Sequence, residues 1–393
     1  MIPLSVPNLK GNESKYLRRC VKTEFVSSVG QFVKLFEKKI SKFTKSKYSV
    51  ACTSGTGSIH LALKVIGCEQ NDEVIVPTIT FAATVNPIVY EKARPIFMDC
   101  DKYYTIDVDK TVDFLNKKTR TIKKKISGNN LSITINKKTG NRIAAIIAVH
   151  IFGNAVKLDK LFGICKKKNI TLIEDAAESL GTFYKSGKFK KRHTGTIGAV
   201  GCLSFNGNKI ITSGGGGMIL TNNWQIAKKA RYLTTQAKDD PIYSIHNEVG
   251  YNFRLTNIHA ALGVAQLETI SKYIKKKKII HERYKKKINK IKDLFVSNTS
   301  HYAKCNYWLN ILEIKKNLSK KKLSKIIKYL DKSGIEVRPF WHPNHLQKKY
   351  KNCQKYKLDN VNKVYQNRLC LPSSPQLTAK QQDFICKKLK NIF

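Results

Sequence analysis

Residues 201–218 read GCLSFNGNKIITSGGGGM, and the rest of the chain is organised around this stretch. An apolar run from Val200 to Phe205 predicts a buried strand, and a polar turn follows it. The turn holds one lysine, Lys209, and four consecutive glycines lead into a second predicted strand from Met218 to Thr221. Because glycines carry a large entropic cost, we expect this backbone to adopt unusual angles or to approach another segment closely.

Lys209 is the reactive group in this turn. An amine at the end of a strand, beside residues with almost no side chain, suits a lysine that carries pyridoxal phosphate as a Schiff base. The chain contains 73 lysines and arginines, so an ordinary solvated lysine beside a flexible glycine loop is the alternative. A phosphate loop of the Walker type is excluded, because no Gly-Lys-Ser or Gly-Lys-Thr sequence occurs.

Strand and helix patterns alternate through the first half of the chain. The predicted strands are Tyr48–Cys52, Glu73–Val76, Pro95–Met98, Ile143–Val149 and Thr171–Glu174, and the predicted helices are Val33–Phe43, Ile59–Ile66, Phe81–Glu91 and Lys157–Lys168. Such alternation is typical of an α/β fold with a mostly parallel sheet and helices on both of its faces.

Two regions depart from this alternation. Residues 117–142 are polar and basic, with turn signals that include Ser127-Gly128, and predict a surface hairpin or loop insertion. Beyond about residue 257 the chain changes to long Lys-rich amphipathic helices and then to short strands. Helices are predicted there at Ile258–Ile288, Lys320–Ser333 and Gln381–Ile392. We therefore expect a large domain over residues 1–256 and a smaller α+β domain over residues 257–393.

The formal net charge of +46 is the most extreme feature of the composition and raises the question of a nucleic-acid partner. The basic runs are spread along most of the chain and consist almost entirely of Lys, with Ile and Asn also abundant. This pattern indicates a compositional bias rather than one recognition surface. We expect no specific nucleic-acid function, but weak polyanion binding at low salt or steering of an anionic substrate.

Other features of the composition indicate a reducing compartment. No apolar run approaches the roughly 20 residues that span a bilayer, and the first ten residues lack a signal-peptide pattern. The ten cysteines show neither a CxxC pair nor a compact framework. We expect a cytoplasmic protein with reduced thiols and no membrane partner. Histidines do not stand at ligand intervals with Cys or acids, so we expect no metal site.

Two acidic residues follow the predicted strand Thr171–Glu174. Asp175 and Glu178 would lie at the carboxyl edge of a parallel sheet, where ligands bind in this architecture. Pyridoxal chemistry needs a carboxylate there, because the carboxylate keeps the pyridine nitrogen protonated. An ordinary helix N-cap is the alternative for Asp175, and Glu178 could equally cap or solvate the same helix.

A second group of residues could hold a phosphate and a planar ring. Ser54-Gly55-Thr56 opens a predicted helix, where amide groups and hydroxyls form an anion site suited to the cofactor phosphate. Ser204 could supply a further hydroxyl, and Phe81, at the end of a strand, could stack on the ring. The alternatives are an N-cap that binds nothing and a core phenylalanine.

Three further segments combine aromatic and polar residues. They are the end of a strand at VHIFGN (149–154), the loop GYNFRLTN (250–257) and the rigid turn RPFWHP (338–343). Their candidate substrate, phosphate or interface contacts are His150, Asn252, Arg254, Arg338, Trp341 and His342. A helix-capping loop is the alternative for the second segment, and a structural histidine is an equal alternative for His150.

Taken together and in order, these motifs resemble the DegT/DnrJ/EryC1/StrS family of pyridoxal-phosphate-dependent sugar aminotransferases. The likeness runs nearly from end to end. It is carried by TSGTGSIHLAL (53–63), PTITFAATVNPI (77–88), VHIFGN (149–154), EDAAES (174–179), SFNGNKIITSGGGG (204–217), GYNFRLTNIHAALGVAQLE (250–268) and RPFWHPNHLQ (338–347).

The resemblance implies a transferase of fold type I that forms a homodimer with two active sites at the subunit interface. Lys209 would then carry the cofactor, Asp175 would pair with the pyridine nitrogen and Phe81 would stack on the ring. The remaining implied cofactor contacts are Gly55, Thr56 and Ser204 at the phosphate, Asn252 from the other subunit, and Glu178 near the phenolic oxygen.

The form SFNGNKIIT resembles the branch that acts at C4 of UDP- or dTDP-linked 4-keto-6-deoxy sugars, with L-glutamate as amine donor, in amino-sugar and polysaccharide biosynthesis. Some family members are dehydratases with His in place of the lysine, and Lys209 argues against that activity. The same chemistry at C3 or on a 4-keto acetamido sugar is an alternative, and a polyanion-binding protein on an inactive scaffold is a remote one. Gly207 and residues 117–142 differ from many family members. The contacts with the sugar are therefore the part of the family pattern that transfers least to this chain.

Overall fold

A computed structural model describes residues 1–126, 129–240, 242–316 and 318–393. The strands in these ranges are β1 (Tyr48–Cys52), β2 (Glu73–Pro77), β3 (Arg94–Met98), β4 (Thr119–Ile126), β5 (Asn129–Asn136), β6 (Ile143–Val149), β7 (Thr171–Asp175), β8 (Phe183–Tyr184), β9 (Val200–Ser204), β10 (Gly217–Thr221), β11 (Leu294–Val296), β12 (Ala303–Lys304), β13 (Asn310–Ile314), β14 (Arg338–Pro339), β15 (Lys355–Tyr356) and β16 (Arg368–Leu371). The α-helices are α1 (Glu13–Lys22), α2 (Gln31–Thr44), α3 (Gly55–Val65), α4 (Ala82–Tyr90), α5 (Val108–Lys118), α6 (Leu158–Lys167), α7 (Trp224–Thr234), α8 (Asn257–Ile288), α9 (Lys320–Lys332), α10 (Asp359–Val364) and α11 (Ala379–Lys390).

Eight of the strands in the described ranges form one sheet in the order β1-β10-β9-β7-β6-β2-β3-β15. Its neighbours run parallel except at β10, which is antiparallel to both β1 and β9. Along β2, Val74 and Val76 belong to one apolar cluster and Ile75 belongs to another. Because successive strand residues point to opposite faces, both faces of the sheet are covered. The predicted α/β fold with a mostly parallel sheet is confirmed.

A smaller antiparallel sheet, in the order β11-β13-β16-β14, lies in the C-terminal part of the chain. It shares an apolar core with the second half of α8 and with α9, through residues such as Tyr284 and Ile326. Two segments cross the expected domain boundary: Ile2 bridges to Ile335, and β15 joins the large sheet beside β3. The division of the chain at residue 257 stays a prediction.

The region of residues 117–142 contains the predicted surface hairpin. Strands β4 and β5 pair antiparallel, and the amide of Asn136 at the base of the hairpin donates to Glu73 Oε2 at 2.7 Å. This bond anchors the insertion to the first residue of β2. The predicted turn signal at Ser127-Gly128 lies outside the described residues.

Most predicted elements occur within about two residues of their expected ends. Helix α3 is an exception, since it begins at Gly55, four residues before the predicted start at Ile59. Helices α1, α5, α7 and α10 had no counterpart in the prediction. In the described part of the chain, no helix is both long and apolar enough to cross a membrane.

Candidate active site

A cavity of about 530 Å³ opens at the carboxyl edge of the large sheet, where β7 and β9 end side by side. The first turn of α3, the loop after β9 and residues from the C-terminal part of the chain close its sides. The predicted site residues that line the cavity are Gly55, Thr56, Phe81, Asp175, Glu178, Ser204, Lys209, Arg338 and Trp341. Residues distant in sequence therefore meet where the motifs predicted a site.

The loop that carries Lys209 joins β9 to β10 and is closed by backbone hydrogen bonds. The N–H of Phe205 donates to Gly216 O, and the N–H of Ser213 donates to Phe205 O, both at 2.9 Å. These bonds bring the end of the loop back to its start. Lys209 therefore lies on a short, closed loop between two buried strands rather than on a free surface segment.

The glycines at the end of this loop behave as the sequence predicted. Gly216 has a φ of +135°, a backbone conformation that side chains rarely allow. A Cβ placed on Gly217 would lie only 2.1 Å from the carbonyl oxygen of Ser54. Both an unusual backbone angle and a close approach to another segment are thus confirmed.

The amine of Lys209 lies between a carboxylate and an aromatic face. Its Nζ is 3.3 Å from Glu178 Oε1 and 4.3 Å from the centre of the Trp308 ring. The side chain is only 13 % exposed. A buried amine that is held by a salt bridge and a cation–π contact is oriented rather than solvated.

Trp308 is a cavity residue that the sequence analysis missed. Its indole Nε1 donates to the carbonyl oxygen of Asn208, the residue before Lys209, at 2.7 Å. The surrounding sequence, CNYWLN, matches no motif that would mark a site. The only available signal was that the chain has just three tryptophans, so each of them was a candidate for a specific role.

Glu178 is almost fully buried beneath the amine. Its Oε2 accepts a hydrogen bond at 2.8 Å from the N–H of Phe152, whose backbone is left-handed with φ +55°. Burial raises the pKa of Glu178 to about 7, against the opposing effects of Lys209 and of the Phe152 N–H. A carboxyl group with a pKa near neutrality can both hold a proton and release it.

Asp175 ends β7 and is fixed by two donors. Its Oδ2 accepts from the Thr84 hydroxyl at 2.7 Å, and its Oδ1 accepts from the N–H of Ala177 at 3.0 Å. The Thr84 hydroxyl is within 2.7 Å of the Thr80 hydroxyl, so a hydroxyl pair continues the network. Neither threonine was predicted as a site residue. The carboxylate is rigid, buried and at the cavity wall, as a partner for a pyridine nitrogen requires.

Helix α3 points its N-terminus at the cavity. The Ser54 side chain caps the helix by accepting from the N–H of Gly57 at 2.9 Å, which explains why the helix begins at Gly55. A Cβ on Gly55 would lie 2.7 Å from the Cβ of Ser204, so only glycine lets the helix approach β9 this closely. First-turn amides, a helix dipole and the Thr56 and Ser204 hydroxyls form a cradle suited to a phosphate.

Phe81 and Trp341 form an aromatic side of the cavity. Their ring centres are 5.7 Å apart, and Phe81 is 60 % exposed even though it is a large apolar residue. The alternative of a core phenylalanine is therefore wrong. An exposed aromatic face that lines a cavity is available to stack on a planar ligand.

Four predicted residues do not line the cavity. His150 is fully buried; the N–H of Val156 donates to its Nδ1 at 3.1 Å, and its Nε2 contacts Glu174 at 2.9 Å. Both ring nitrogens are thus used inside the protein, and we correct the expected substrate contact of His150 to a structural role.

The other three lie elsewhere around the site. Arg254 pairs with Glu37, with its Nη1 2.7 Å from Oε1. His342 is exposed, with its ring edge against Tyr365 at 6.0 Å between centres. Asn252 is exposed on the segment that follows α7. Among the described residues, none of these three therefore lines the cavity.

The donor set in this cavity fits pyridoxal phosphate. An oriented amine, a rigid buried carboxylate, a helix N-terminus with hydroxyls and an exposed aromatic ring match the aldehyde, the pyridine nitrogen, the phosphate and the ring of that cofactor. Lys209, Asp175, Gly55, Ser204 and Phe81 would hold these parts. Together with the large sheet, the site defines a pyridoxal-phosphate-dependent transferase of fold type I.

Comparison with known proteins identifies the family of transferases to which this chain belongs. The family model of the DegT/DnrJ/EryC1/StrS aminotransferase family matches residues 7–390, and the chain belongs to this family. GDP-perosamine synthase of Vibrio cholerae is 36 % identical over 394 residues, which cover 100 % of this chain and 99 % of the relative.

Solved structures share the fold. Helicobacter pylori PseC, an aminotransferase involved in the biosynthesis of pseudoaminic acid, has a TM-score of 0.84 at 22 % identity and covers 100 % of this chain and 99 % of its own. A sugar aminotransferase from Streptococcus pneumoniae in its PLP form has a TM-score of 0.83 at 22 % identity, covering 100 % and 98 %. With the family model and the 36 % identical relative, the protein is a pyridoxal-phosphate-dependent sugar aminotransferase of amino-sugar biosynthesis.

Proposed function

We propose that this enzyme moves the amine of L-glutamate to the C4 keto carbon of a nucleotide-linked 4-keto-6-deoxy sugar. The observation that carries the proposal is the joint position of Lys209, Glu178 and Asp175 along one cavity whose phosphate cradle is preformed. Amine transfer needs a nucleophilic amine, a proton acceptor beside it and an electron-withdrawing ring held by a carboxylate.

Three residues, Lys209, Glu178 and Asp175, have defined tasks in this proposal. When bound, pyridoxal phosphate supplies the electrophilic carbon and the ring that accepts electrons from a breaking Cα–H bond. Lys209 moves protons through its Nζ, and Glu178, 3.3 Å away, exchanges protons with that amine. Asp175 would pair with the pyridine nitrogen and keep it protonated, because the Thr84 and Ala177 donors hold the carboxylate in place.

We propose that the nucleotide attached to the sugar substrate is GDP rather than UDP or dTDP. Sequence motifs alone favoured UDP or dTDP, but the relative from Vibrio cholerae, at 36 % identity over the whole chain, is named for GDP-perosamine. A 27 % identical relative from Campylobacter jejuni is named UDP-4-amino-4,6-dideoxy-N-acetyl-beta-L-altrosamine transaminase, and the 4-amino group in that name supports amination at C4. Arg338 lies at the cavity with Glu336 at 2.7 Å, and is exposed enough to contact an anionic group of either substrate.

The test is a substrate panel. Purified holoenzyme is incubated with L-glutamate and with GDP-, UDP- and dTDP-linked 4-keto-6-deoxy sugars, with 3-keto isomers and with 4-keto acetamido sugars. Mass spectrometry then follows the aminated product and 2-oxoglutarate. The proposal expects the GDP-linked 4-keto sugar to give the highest kcat/KM. If only the 3-keto sugar is aminated, the proposed C4 position is wrong, and if only the acetamido sugar is aminated, the proposed substrate is wrong. If no sugar is aminated, the proposed function is refuted.

We also propose that the enzyme is a homodimer in which Asn252 reaches the cofactor site of the other subunit. Large apolar side chains are exposed in two segments, which include Phe25 and Val29 in one and Ile242 and Tyr243 in the other. Both segments flank the stretch that contains Asn252. The N–H of Asn257 donates to Ser27 O at 2.6 Å, and Asn252 bridges to Thr235 at the end of α7. Groups of exposed large apolar side chains support an interface with another chain.

Subunit mixing tests this arrangement. Lys209→Ala and Asn252→Ala homodimers should each be impaired, and light scattering should give about twice the mass of one chain. After denaturation and refolding together, a heterodimer holds one site that carries both defects and one site that carries neither. Activity should therefore return on mixing. Mixtures that remain as inactive as the two parents, or a monomeric active enzyme, would contradict the shared site.

A further inference from the structure

A buried lysine that the proposed chemistry does not use lies behind the Lys209 site. Lys277, on α8, is 2 % exposed, and its Nζ donates to the carbonyl oxygens of Trp308 at 2.9 Å and of Ser373 at 2.5 Å. Burial lowers the pKa of Lys277 to about 7, and in the described part of the chain no charged partner offsets it. Burying an amine is costly, so the two carbonyl contacts are its only compensation among these residues.

Trp308 connects this buried lysine to the reactive one. Its carbonyl oxygen accepts from Lys277, its Nε1 donates to Asn208 O at 2.7 Å, and its ring centre lies 4.3 Å from the Nζ of Lys209. One residue thus contacts the amine of Lys209 and the backbone just before it. The ring is also nearly parallel to Phe152, at an interplanar angle of 14°.

Two other contacts fix the segment that carries Trp308. The N–H of Trp308 donates to Asn306 Oδ1 at 3.0 Å, and the Asn306 amide donates to Glu178 O at 2.8 Å. Tyr307, between them, has a left-handed φ of +55°. The segment is therefore tied to Glu178, which pairs with Lys209, through Asn306, and to Lys277 through the carbonyl of Trp308.

We propose that Lys277 is a positioning residue for Trp308, and that Trp308 in turn holds the amine of Lys209 beside Glu178. The inference rests on the proposed function, because it concerns the same lysine. A free lysine side chain has four rotatable bonds, and an amine that must stay within reach of Glu178 gains from a fixed aromatic face. Without the Lys277 contacts, the Trp308 carbonyl would lose its donor, and the position of the indole would depend on the bonds to Asn208 and Asn306 alone.

The test is a pH titration of the holoenzyme absorbance, which reports the pKa of the nitrogen through which Lys209 holds the cofactor. The charged groups that line the same cavity are Asp175, Glu178, Glu336 and Arg338, and all are left unchanged. Trp308→Leu should lower that pKa by about 0.5 to 1 unit, because the ring face stabilises a cation. Lys277→Met should lower it by less, and kcat should fall about tenfold for Trp308→Leu with the sugar KM within about twofold.

A double variant separates positioning from general destabilisation. If Lys277 acts through Trp308, the pKa of Trp308→Leu with Lys277→Met should equal that of Trp308→Leu alone, whereas independent effects would add. If Lys277→Met does not fold, Lys277→Gln, which keeps N–H donors, replaces it, and a smaller shift in the same direction is expected.

Matched controls are available in the same chain. Lys278→Met changes the next lysine on α8, which is 55 % exposed and pairs with Glu282, and Trp224→Phe changes an exposed tryptophan. Neither should move the pKa. Lys277 variants with a lower Tm but a wild-type titration and kcat would overturn the inference. A wild-type enzyme that binds no pyridoxal phosphate or aminates no sugar would instead overturn the proposed function.

Discussion

Glu178 is the residue in which the opposing forces at the site are clearest. Burial favours its neutral form, while the Lys209 amine and the Phe152 N–H favour its charged form, and the outcome is a pKa of about 7. Its left-handed neighbour Phe152 is part of this balance, because the N–H of that residue points at the carboxylate. Proton exchange with Lys209 near neutral pH follows from this environment.

Glu178→Gln should change how stability depends on pH. The pKa of Glu178 is raised from 4.5 to about 7 in the folded protein, so the folded state binds more protons than the unfolded state in this window. The contribution of Glu178 to stability is present in full below pH 4.5 and is lost as the pH rises through 7. The loss is on the order of 3 kcal/mol at most, since each unit corresponds to about 1.4 kcal/mol.

Urea unfolding of the cofactor-free proteins at pH 5 and pH 8 measures this effect. The wild type should lose more stability between the two values than Glu178→Gln, which cannot ionise but keeps the shape of the side chain. All other titrating groups are common to both proteins and cancel in the comparison. Parallel pH dependence of the two proteins would show that burial does not raise the pKa of Glu178.

At the scale of elements, the loop between β9 and β10 depends on backbone packing that no side chain could replace. Gly217→Ala should destabilise the protein by about 2 kcal/mol or more, because the new Cβ would lie 2.1 Å from the Ser54 carbonyl oxygen. The displaced Ser54 caps α3, so the affinity for pyridoxal phosphate should fall as well.

Gly207→Ala is the matched control, because in the described part of the chain the added Cβ would have no atom within 4 Å beyond residue 207 and its chain neighbours. Its thermal unfolding temperature should equal that of the wild type within about one degree, which is a fraction of 1 kcal/mol. If both substitutions destabilise the protein equally, the loss would come from replacing a glycine and not from the close contact with Ser54.

Elements whose sequence pattern is local were predictable, whereas contacts between distant segments were not. The buried strands are apolar on both faces, and α2 carries an apolar stripe at helical spacing, so both were found from the sequence. Helix α3 was predicted over Ile59–Ile66 with Ser54-Gly55-Thr56 at its opening, and it begins at Gly55 because the Ser54 side chain caps it.

The same distinction applies to the site. Lys209, Asp175 and Phe81 belong to motifs, and the structure places all three along one cavity. Trp308 and Lys277 belong to no motif, because what they do depends on a tertiary contact between α8, the segment before β13 and the Lys209 loop. Their partners could not be read from spacing along the chain.

At the scale of the whole molecule, the basic residues behind the net charge of +46 are spread along the sequence, and only Lys209 and Arg338 among the described ones line the cavity. The enzyme should therefore bind DNA or heparin weakly and without sequence preference at low salt. Counterion release predicts that the affinity falls by about a hundredfold or more between 50 and 200 mM salt. Fluorescence anisotropy with two DNA duplexes of unrelated sequence measures both properties. Tight, sequence-dependent binding at 200 mM salt would contradict a purely electrostatic origin.

The central claim is that one amine, Lys209, carries the cofactor. Borohydride reduction of the holoenzyme followed by peptide mapping tests it most directly. We expect the reduced pyridoxyl group on Lys209 in the wild type, and neither a label nor an absorbance band at about 400–430 nm in Lys209→Ala. A label on another lysine, or a Lys209→Ala protein with a wild-type band, would show that Lys209 does not carry the cofactor.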